Sequence, residues 1–364
     1  MKWQYELIKE ICSLSSTGDY SLSSIKIDSL VNIKKDKLPS SFFKFYAPTI
    51  ENVSDIQNKL LWLSPPSYFN DPFDCSIAYN IQDFRKYYLE HSFDKFPYFS
   101  PKERDAIRSS YSSSQKAPSY FDWFDSVLNI ILRKKSKRLQ EKYRKELYYC
   151  LQQEIESKLY SLRENFRIAC FSAFSSENDY FKNSPLMWSH YALSHKGFCV
   201  EYNLKPLFNK RTNLKEHYCA DNNAYLSKTQ QKQILVNGLF PVTYDNRRIS
   251  MGKELLFSLL MDSSNNKRQL KEIVLKSLIS KALSWKYESE WRLIVDKSLS
   301  ELVGNKIQFP FSKRIIIGYN ASKEITRMLK QVGKNLVIEV NQAFIDPITY
   351  EMGTLPYIPL TKTV

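Results

Sequence analysis

Trp285-Lys-Tyr-Glu-Ser-Glu-Trp-Arg-Leu-Ile-Val-Asp296 is the stretch on which the reading of the fold turns. Its later part, SEWRLIVD (289–296), is a branched and aromatic run that suits a pleated, largely buried strand. Side chains alternate across a strand, so Glu288, Glu290 and Arg292 fall on one face and Tyr287, Trp291 and Leu293 on the other. Two carboxylates beside a guanidinium on a buried face are costly unless partners or a ligand satisfy them. An edge-strand salt bridge is the plain alternative.

Working outward, strands are expected at RIACFSAF (167–174), GFCVEYN (197–203), FPVTYD (240–245), RIIIGYN (314–320) and NLVIEVNQAF (335–344). Helices are expected at 184–195, across about 250–284 and at 322–331. An earlier block joins strand FFKFYA (42–47), helix ENVSDIQNKL (51–60), strand LLWLS (60–64) and the loop PPSYFNDPFD (65–74). The elements mix without a regular strand–helix–strand alternation, which predicts an α+β fold. Residues 1–41 read as an amphipathic helix and linker, 42–80 with 166–345 as the core domain, and 346–364 as a tail. Between the two parts of the core, 81–165 reads as a long helical insertion. Its apolar residues Phe124, Leu128, Ile131, Leu139, Tyr143, Leu147, Leu151, Ile155, Leu159 and Leu162 keep one helical face.

The chain has 364 residues and a formal net charge of +15, with four His and only eight Gly. That balance favours anionic partners, meaning nucleic acid, phosphorylated cofactors or an acidic protein surface, with solubility alone as the plain alternative. The run RKKSKRLQEKYRK (133–145) concentrates it: Arg133, Lys134, Lys135, Lys137 and Arg138 are candidate phosphate contacts, with a merely solvated helix face as the alternative. Neither a GxxxxGK[ST] loop nor a GxGxxG turn occurs, so a nucleotide would be held without a glycine cradle. The six Cys have no paired spacing and read as reduced thiols of a cytoplasmic protein. With the four His they never approach metal-ligand spacing, so no metal site is expected. The N-terminus carries charges throughout, and no window reaches the roughly 18 apolar residues of a membrane span.

Two further motifs carry candidate chemistry. Tyr68-Phe-Asn-Asp-Pro-Phe-Asp74 is a turn builder that can also present Asn70, Asp71 and Asp74 to a ligand, with Phe69 and Phe73 as anchors. Ser184-Pro-Leu-Met-Trp-Ser-His-Tyr-Ala-Leu-Ser-His-Lys-Gly197 reads as a helix capped by Ser184, started by Pro185 and stopped by a left-handed Gly197. Trp188, Tyr191 and His195 share one helical face, with His190 beside them, and would form either core packing or a wall for stacking a nicotinamide or a base.

Together, FNDPFD, MWSHYA-x-x-H-x-GF and YE-x-E-W-R resemble the bacterial domain-of-unknown-function (DUF) family 2971, over roughly 42–345 apart from the insertion. Some members of that family are suspected toxins or phage-defence effectors, which implies a possible antitoxin or defence partner protein. The segment FKFYAPTIENVSDIQNKLLWLS is also similar to the opening of DarT-like ADP-ribosyltransferases, and the E-x-E strand resembles the catalytic glutamate strand of ADP-ribosyltransferases in general. The resemblance implies mixed or antiparallel split sheets and NAD as the bound nucleotide. It places Tyr46 at the first strand of the NAD cleft, Tyr191 as the stacking aromatic, Glu290 as the catalytic carboxylate and Glu288 as the extra acid. The first-strand His of many such enzymes and a Ser-Thr-Ser motif are absent here.

The expectation is therefore an ADP-ribosyltransferase-like enzyme that uses NAD to modify nucleic acid or a nucleic-acid-associated target. Two alternatives stand beside it. One is a metal-dependent nuclease built on Asp71, Asp74, Glu288 and Glu290. The other is a non-enzymatic nucleic-acid-binding module gripping phosphates through 133–145.

Overall fold

The computed structural model describes residues 3–14, 22, 27–92, 100–103, 105, 109, 133, 135–174, 177–209, 212, 214–219, 224–261 and 266–356. The chain folds as two compact units. The first comprises 1–75, 164–247 and 279–364; the second comprises 76–163 and 248–278.

The first unit is built on a mixed sheet of eight strands among the described residues. In chain order they are β1 (Phe42–Tyr46), β2 (Phe166–Ser172), β3 (Phe198–Tyr202), β4 (Leu239–Pro241), β5 (Glu290–Asp296), β6 (Ser312–Ile317), β7 (Glu339–Ile345) and β8 (Met352–Pro356). Their order across the sheet is β8-β7-β6-β3-β1-β2-β5-β4. Neighbours are antiparallel except β6 and β7, which run parallel and are joined through the helix Lys323–Leu336. A parallel pair needs such a crossover. The α+β class is thus observed, and beside the eight-stranded sheet the described residues form separate two-stranded pairs.

Strands β1, β2, β3 and β5 are buried along nearly their whole length. Sequence alternation is therefore weak there, because both faces are covered. On one face Phe42, Phe171, Tyr202 and Trp291 pack with Leu293, Phe309 and Ile315. Edge-to-face rings recur, with Phe42 and Trp291 centroids 5.5 Å apart. On the other face Phe43, Phe45, Trp188, Cys199 and Ile316 form a second cluster. The predicted alternation of β5 holds: Trp291, Leu293 and Val295 enter the first cluster, while Glu290 and Arg292 point away from it.

Several boundaries differ from expectation. The helix bearing the second motif is Glu177–Tyr191, so Ser184 and Pro185 lie inside it rather than at its start. Its stop is made by Leu193, Ser194 and His195, all in left-handed backbone, and Gly197 is not. The helix expected across 250–284 is two, Lys253–Leu260 and Lys267–Leu278. Within the segment read as a tail, Met352–Pro356 completes the main sheet.

In the second unit, helix Lys137–Arg144 passes through a wider π-turn, Lys145–Cys150, into helix Leu151–Glu164. The apolar stripe Leu151, Ile155, Leu159 and Leu162 is buried as expected. Phe124, Leu128 and Ile131 lie outside the described residues. Helix Ile81–Ser92 meets Lys253–Leu260, with Tyr87 and Tyr88 against Phe257 at 5.5 and 6.0 Å. Among the described residues no helix is long and apolar enough to cross a membrane.

Gly197 is required by close approach rather than by its backbone angle. A Cβ there would lie 1.9 Å from the Tyr46 carbonyl oxygen and 3.2 Å from the Ala192 Cα, both backbone atoms that cannot turn aside. Gly252 has nothing within 4 Å of the same atom. Gly197→Ala should therefore cost roughly 2 kcal/mol or more of stability, and Gly252→Ala close to none. Urea unfolding of both variants checks the contrast.

Candidate active site

Antiparallel register brings the site together. Glu290 lies opposite Ser172, and Arg292 opposite Cys170. Phe43 lies opposite Ser172 on the far side of β2. On this face a cavity of about 300 Å³ is lined by Phe43, Phe45, Cys170, Ser172 and Met187 together with the polar groups described below. Its size is at the lower end of small-molecule sites, roughly 300–1,000 Å³.

Lys281 is the hub of the cavity floor. Its ammonium donates to Glu288 Oε2 (2.5 Å) and Glu290 Oε2 (3.1 Å) and lies 3.7 Å from Asp74 Oδ2. Arg292 approaches from behind. Its Nε donates to Glu290 Oε1 (2.8 Å), and its Nη2 to Asp74 Oδ2 (2.7 Å) and Glu290 Oε2 (3.1 Å). Arg292 is wholly buried, with Nη1 on Cys75 Sγ (3.2 Å) and the Phe69 ring 5.4 Å from its guanidinium carbon. Three carboxylates and two cations thus share a buried cluster, formally one negative charge in excess. Tyr191 donates its hydroxyl to Glu288 Oε1 (2.6 Å), and the Glu290 amide donates to the Tyr244 hydroxyl (2.7 Å).

Local backbone explains how two acids two residues apart reach one lysine. The strand begins at Glu290, not before it. Glu288 ends a 3₁₀ turn, Leu283–Glu288, and Ser289 is left-handed at φ 46°, ψ 49°. The expectation that Glu288 shares a strand face with Glu290 is corrected: a kink, not the pleat, aims it inward.

The two acids are driven apart electrically. Burial, then the neighbouring Glu290 charge, pushes the Glu288 carboxyl up to about 7, despite the opposing pull of Lys281 and Tyr191. Burial also acts to raise Glu290, but Arg292 and Lys281 outweigh it and hold that carboxyl well below the ordinary range. Lys281, for which burial favours the neutral amine, is kept charged by Glu290 and Glu288. Half-buried Lys44 donates to the Cys170 carbonyl (3.3 Å); burial lowers its pKa and the Glu290 charge offsets part of that.

Of the residues proposed from sequence, Glu288, Glu290, Tyr191, His190 and Asn70 line the cavity. Four others do not. Tyr46 is core: its ring stacks on Phe198 and its hydroxyl meets Tyr202 Oη at 2.7 Å. Trp188 is fully buried against the edge of Phe45. Asp71 builds the turn, accepting the Phe73 amide on Oδ1 (2.9 Å). Arg292 holds the acids from behind. Phe73 is exposed rather than anchoring the loop; Phe69 does that. In the second unit Arg133, Lys137 and Arg138 are exposed, Lys135 pairs with Glu103 at 3.2 Å, and Lys134 lies outside the described residues. Lys281, Lys44, Cys170 and Tyr244 had no sequence signal. Lys281 lies in a strand of three residues, Ser280–Ala282, too short to show a period. Among the described residues no His, Cys, Asp and Glu side chains group to hold a metal ion.

The cluster sets opposite pH signs for its two acids. Glu290, depressed on folding, contributes stability that is full above the ordinary carboxylate range and is lost as pH falls through its lower folded value. Glu288, raised on folding, subtracts stability as pH climbs from the ordinary range to about 7. Glu288→Gln should therefore raise the unfolding free energy at pH 8 by on the order of 1–3 kcal/mol, with little gain at pH 4. Arg292→Met leaves buried carboxylates short of a partner and should cost roughly 3–5 kcal/mol. Denaturant unfolding of both variants at the two pH values measures this, and equal effects of Glu288→Gln at pH 4 and 8 would contradict it.

No curated protein and no solved structure matches this chain. One family model does, described as "Protein of unknown function (DUF2971)", and its matched residues span the second and third motifs. Residues 187–293 match the model of that family, the one the motifs resemble.

Proposed function

We propose that the first unit is an ADP-ribosyltransferase-like enzyme that consumes NAD, with Glu290 and Glu288 as its catalytic carboxylates and a nucleic acid or nucleic-acid-associated target as acceptor. The observation that carries the reading is two buried acids at the floor of one cavity with unlike partners, Glu290 held by Arg292 and Lys281, Glu288 by Lys281 and Tyr191. Neighbouring titratable groups pushed in opposite directions mark an assignment of acid–base roles.

The lining suits the nicotinamide-ribose end of NAD. Tyr191, Tyr68, Phe69 and His190 offer ring faces to a flat heterocycle, and the acids below them suit ribose hydroxyls and a cationic ring. Bound NAD supplies a ribosyl group whose bond to nicotinamide breaks as positive charge develops on the sugar. Glu290, kept ionised by Arg292 and Lys281, is a fixed negative charge suited to that moment. Glu288, poised near neutrality and oriented by Tyr191 and Lys281, is placed to take the proton that the acceptor gives up on attack. Arg292 and Tyr244 are positioning residues, because they act through Glu290.

The nuclease alternative fits this donor set poorly. Asp74, Glu288 and Glu290 already direct oxygens to an ammonium and a guanidinium, and Asp71 is spent on its turn. Membership of a toxin or phage-defence system, with a neighbouring partner protein, extends the proposal and rests on the family resemblance alone. The expected site of action, the cytoplasm, rests on the absence of paired cysteine spacing in the sequence.

Incubation with labelled NAD and DNA, RNA or cell lysate should transfer label and release nicotinamide. Glu290→Gln should lower the rate roughly 10²–10³-fold. With Glu288 as base, the rate should fall about tenfold per pH unit below about 7 and level off above it. Transfer that survives Glu290→Gln, or nucleic-acid cleavage that EDTA abolishes in place of transfer, would contradict the proposal.

A further inference from the structure

The N-terminal helix Trp3–Leu14 meets the strand pair that carries Lys281 and Tyr244 through the Tyr5 hydroxyl. Tyr5 Oη lies 3.0 Å from Thr243 Oγ1 and 3.0 Å from Ser280 Oγ, and those two are 3.2 Å apart. Thr243 and Ser280 face each other in the parallel pair Thr243–Asp245 with Ser280–Ala282. The next rung of that pair is Tyr244 opposite Lys281. Each residue that Tyr5 grips is therefore followed directly by one that holds the site. Tyr244 receives the Glu290 amide, and Lys281 bridges Glu288 and Glu290. Successive side chains point to opposite sides of the ribbon, so the hydroxyl triad clamps one side while the ion cluster occupies the other.

A separate helix, Ile27–Lys35, has its own buried anchor. Lys34, wholly buried, donates to the carbonyls of Val236 (2.7 Å) and Asn237 (2.9 Å), and Asn237 Nδ2 donates to the Leu22 carbonyl (2.8 Å). These carbonyls end the helix Lys228–Gly238, which runs straight into β4, the neighbour of β5. The helix Trp3–Leu14 also buries Leu7, Ile8, Ile11 and Cys12, so its docking does not depend on the Tyr5 hydroxyl.

We propose that Tyr5 is a positioning residue and the N-terminal helix a control element of the site: the hydroxyl triad fixes the rung that carries Lys281 and Tyr244, and releasing it lets Lys281 move away from Glu288. The groups facing Glu288 are Lys281, Glu290, Tyr191, Tyr244 and Tyr287, with Asp74 and Arg292 one step beyond. Loss of the lysine contact removes the nearest cation, so the Glu288 carboxylate becomes harder to ionise. The effect on turnover rests on the proposed NAD chemistry; the effect on titration does not.

The test follows the ¹³C carboxyl signal of Glu288 with pH in the full chain, with no nucleotide added. Tyr5→Phe should raise its midpoint by about half a pH unit, roughly threefold in proton affinity. Thr243→Val should do the same, and Thr243→Ser, which keeps a hydroxyl, should match the parent. Thr49→Ala weakens a remote helix by removing its cap and should leave the midpoint in place. A parent-like midpoint in both Tyr5→Phe and Thr243→Val overturns the inference, as does an equal shift in Thr49→Ala. Where NAD turnover is measurable, Tyr5→Phe should lower kcat severalfold at unchanged KM.

Discussion

Burying Lys281 and Arg292 among Asp74, Glu288 and Glu290 is the constraint from which the rest of the site follows. Each ion would be expensive in isolation, and removal of a cation leaves the carboxylates uncompensated. Arg292 is held on three sides, by the Glu290 carboxylate, by Asp74 and by the Cys75 sulfur. That ties the first-motif loop to β5 with no water-exposed link. The same guanidinium, joined by Lys281, fixes Glu290 as an anion. The excess negative charge then falls on Glu288, whose kinked backbone keeps it too close to Glu290 for both to ionise freely at neutral pH. One cluster thus orders the loop, joins distant segments and separates the proton affinities of two like groups.

Sheet register translates that cluster into a cavity. β2 lies between β1 and β5, so Cys170 and Ser172 are bracketed by Phe43 on one side and by Glu290 and Arg292 on the other. The helix Glu177–Tyr191 packs on the same face and delivers Tyr191 to Glu288. The opposite face is given over to aromatic packing, in which Phe42, Phe171, Tyr202 and Phe309 contact one another edge-on or stacked. A well-packed apolar layer behind a hydrogen-bonded polar one suits chemistry, because it supports the acids from behind. The close approach of Gly197 to the Tyr46 carbonyl locks β1 against the segment that leads into β3.

The sequence disclosed the α+β class, the pleat of β5 and the three motifs, and Glu288, Glu290, Tyr191, His190 and Asn70 do share a cavity. These were readable because each rests on local information: period-two alternation, a turn-forming Asn-Asp-Pro, or an aromatic helix face. What failed needed long-range information. Tyr46 and Trp188 belong to covered faces, and an aromatic residue reads the same whether it packs or stacks. Asp71 and Asp74 sit three residues apart in one turn, yet one bonds its own backbone and the other reaches Arg292, a choice made by partners more than two hundred residues away. Lys281 was invisible for the same reason. The order of the eight strands in the main sheet escaped prediction because it is set by pairing, which composition does not encode.

The account stands or falls on the unequal proton affinities of the two glutamates. ¹³C carboxyl titration of the parent protein, with Glu288 and Glu290 assigned through single Gln substitutions, measures both in one experiment. Two well-separated midpoints are predicted, Glu288 near 7 and Glu290 below the ordinary carboxylate range. Coincident midpoints at the value of a solvent-exposed glutamate, roughly 4.3, would contradict the buried cluster and the division of roles built on it.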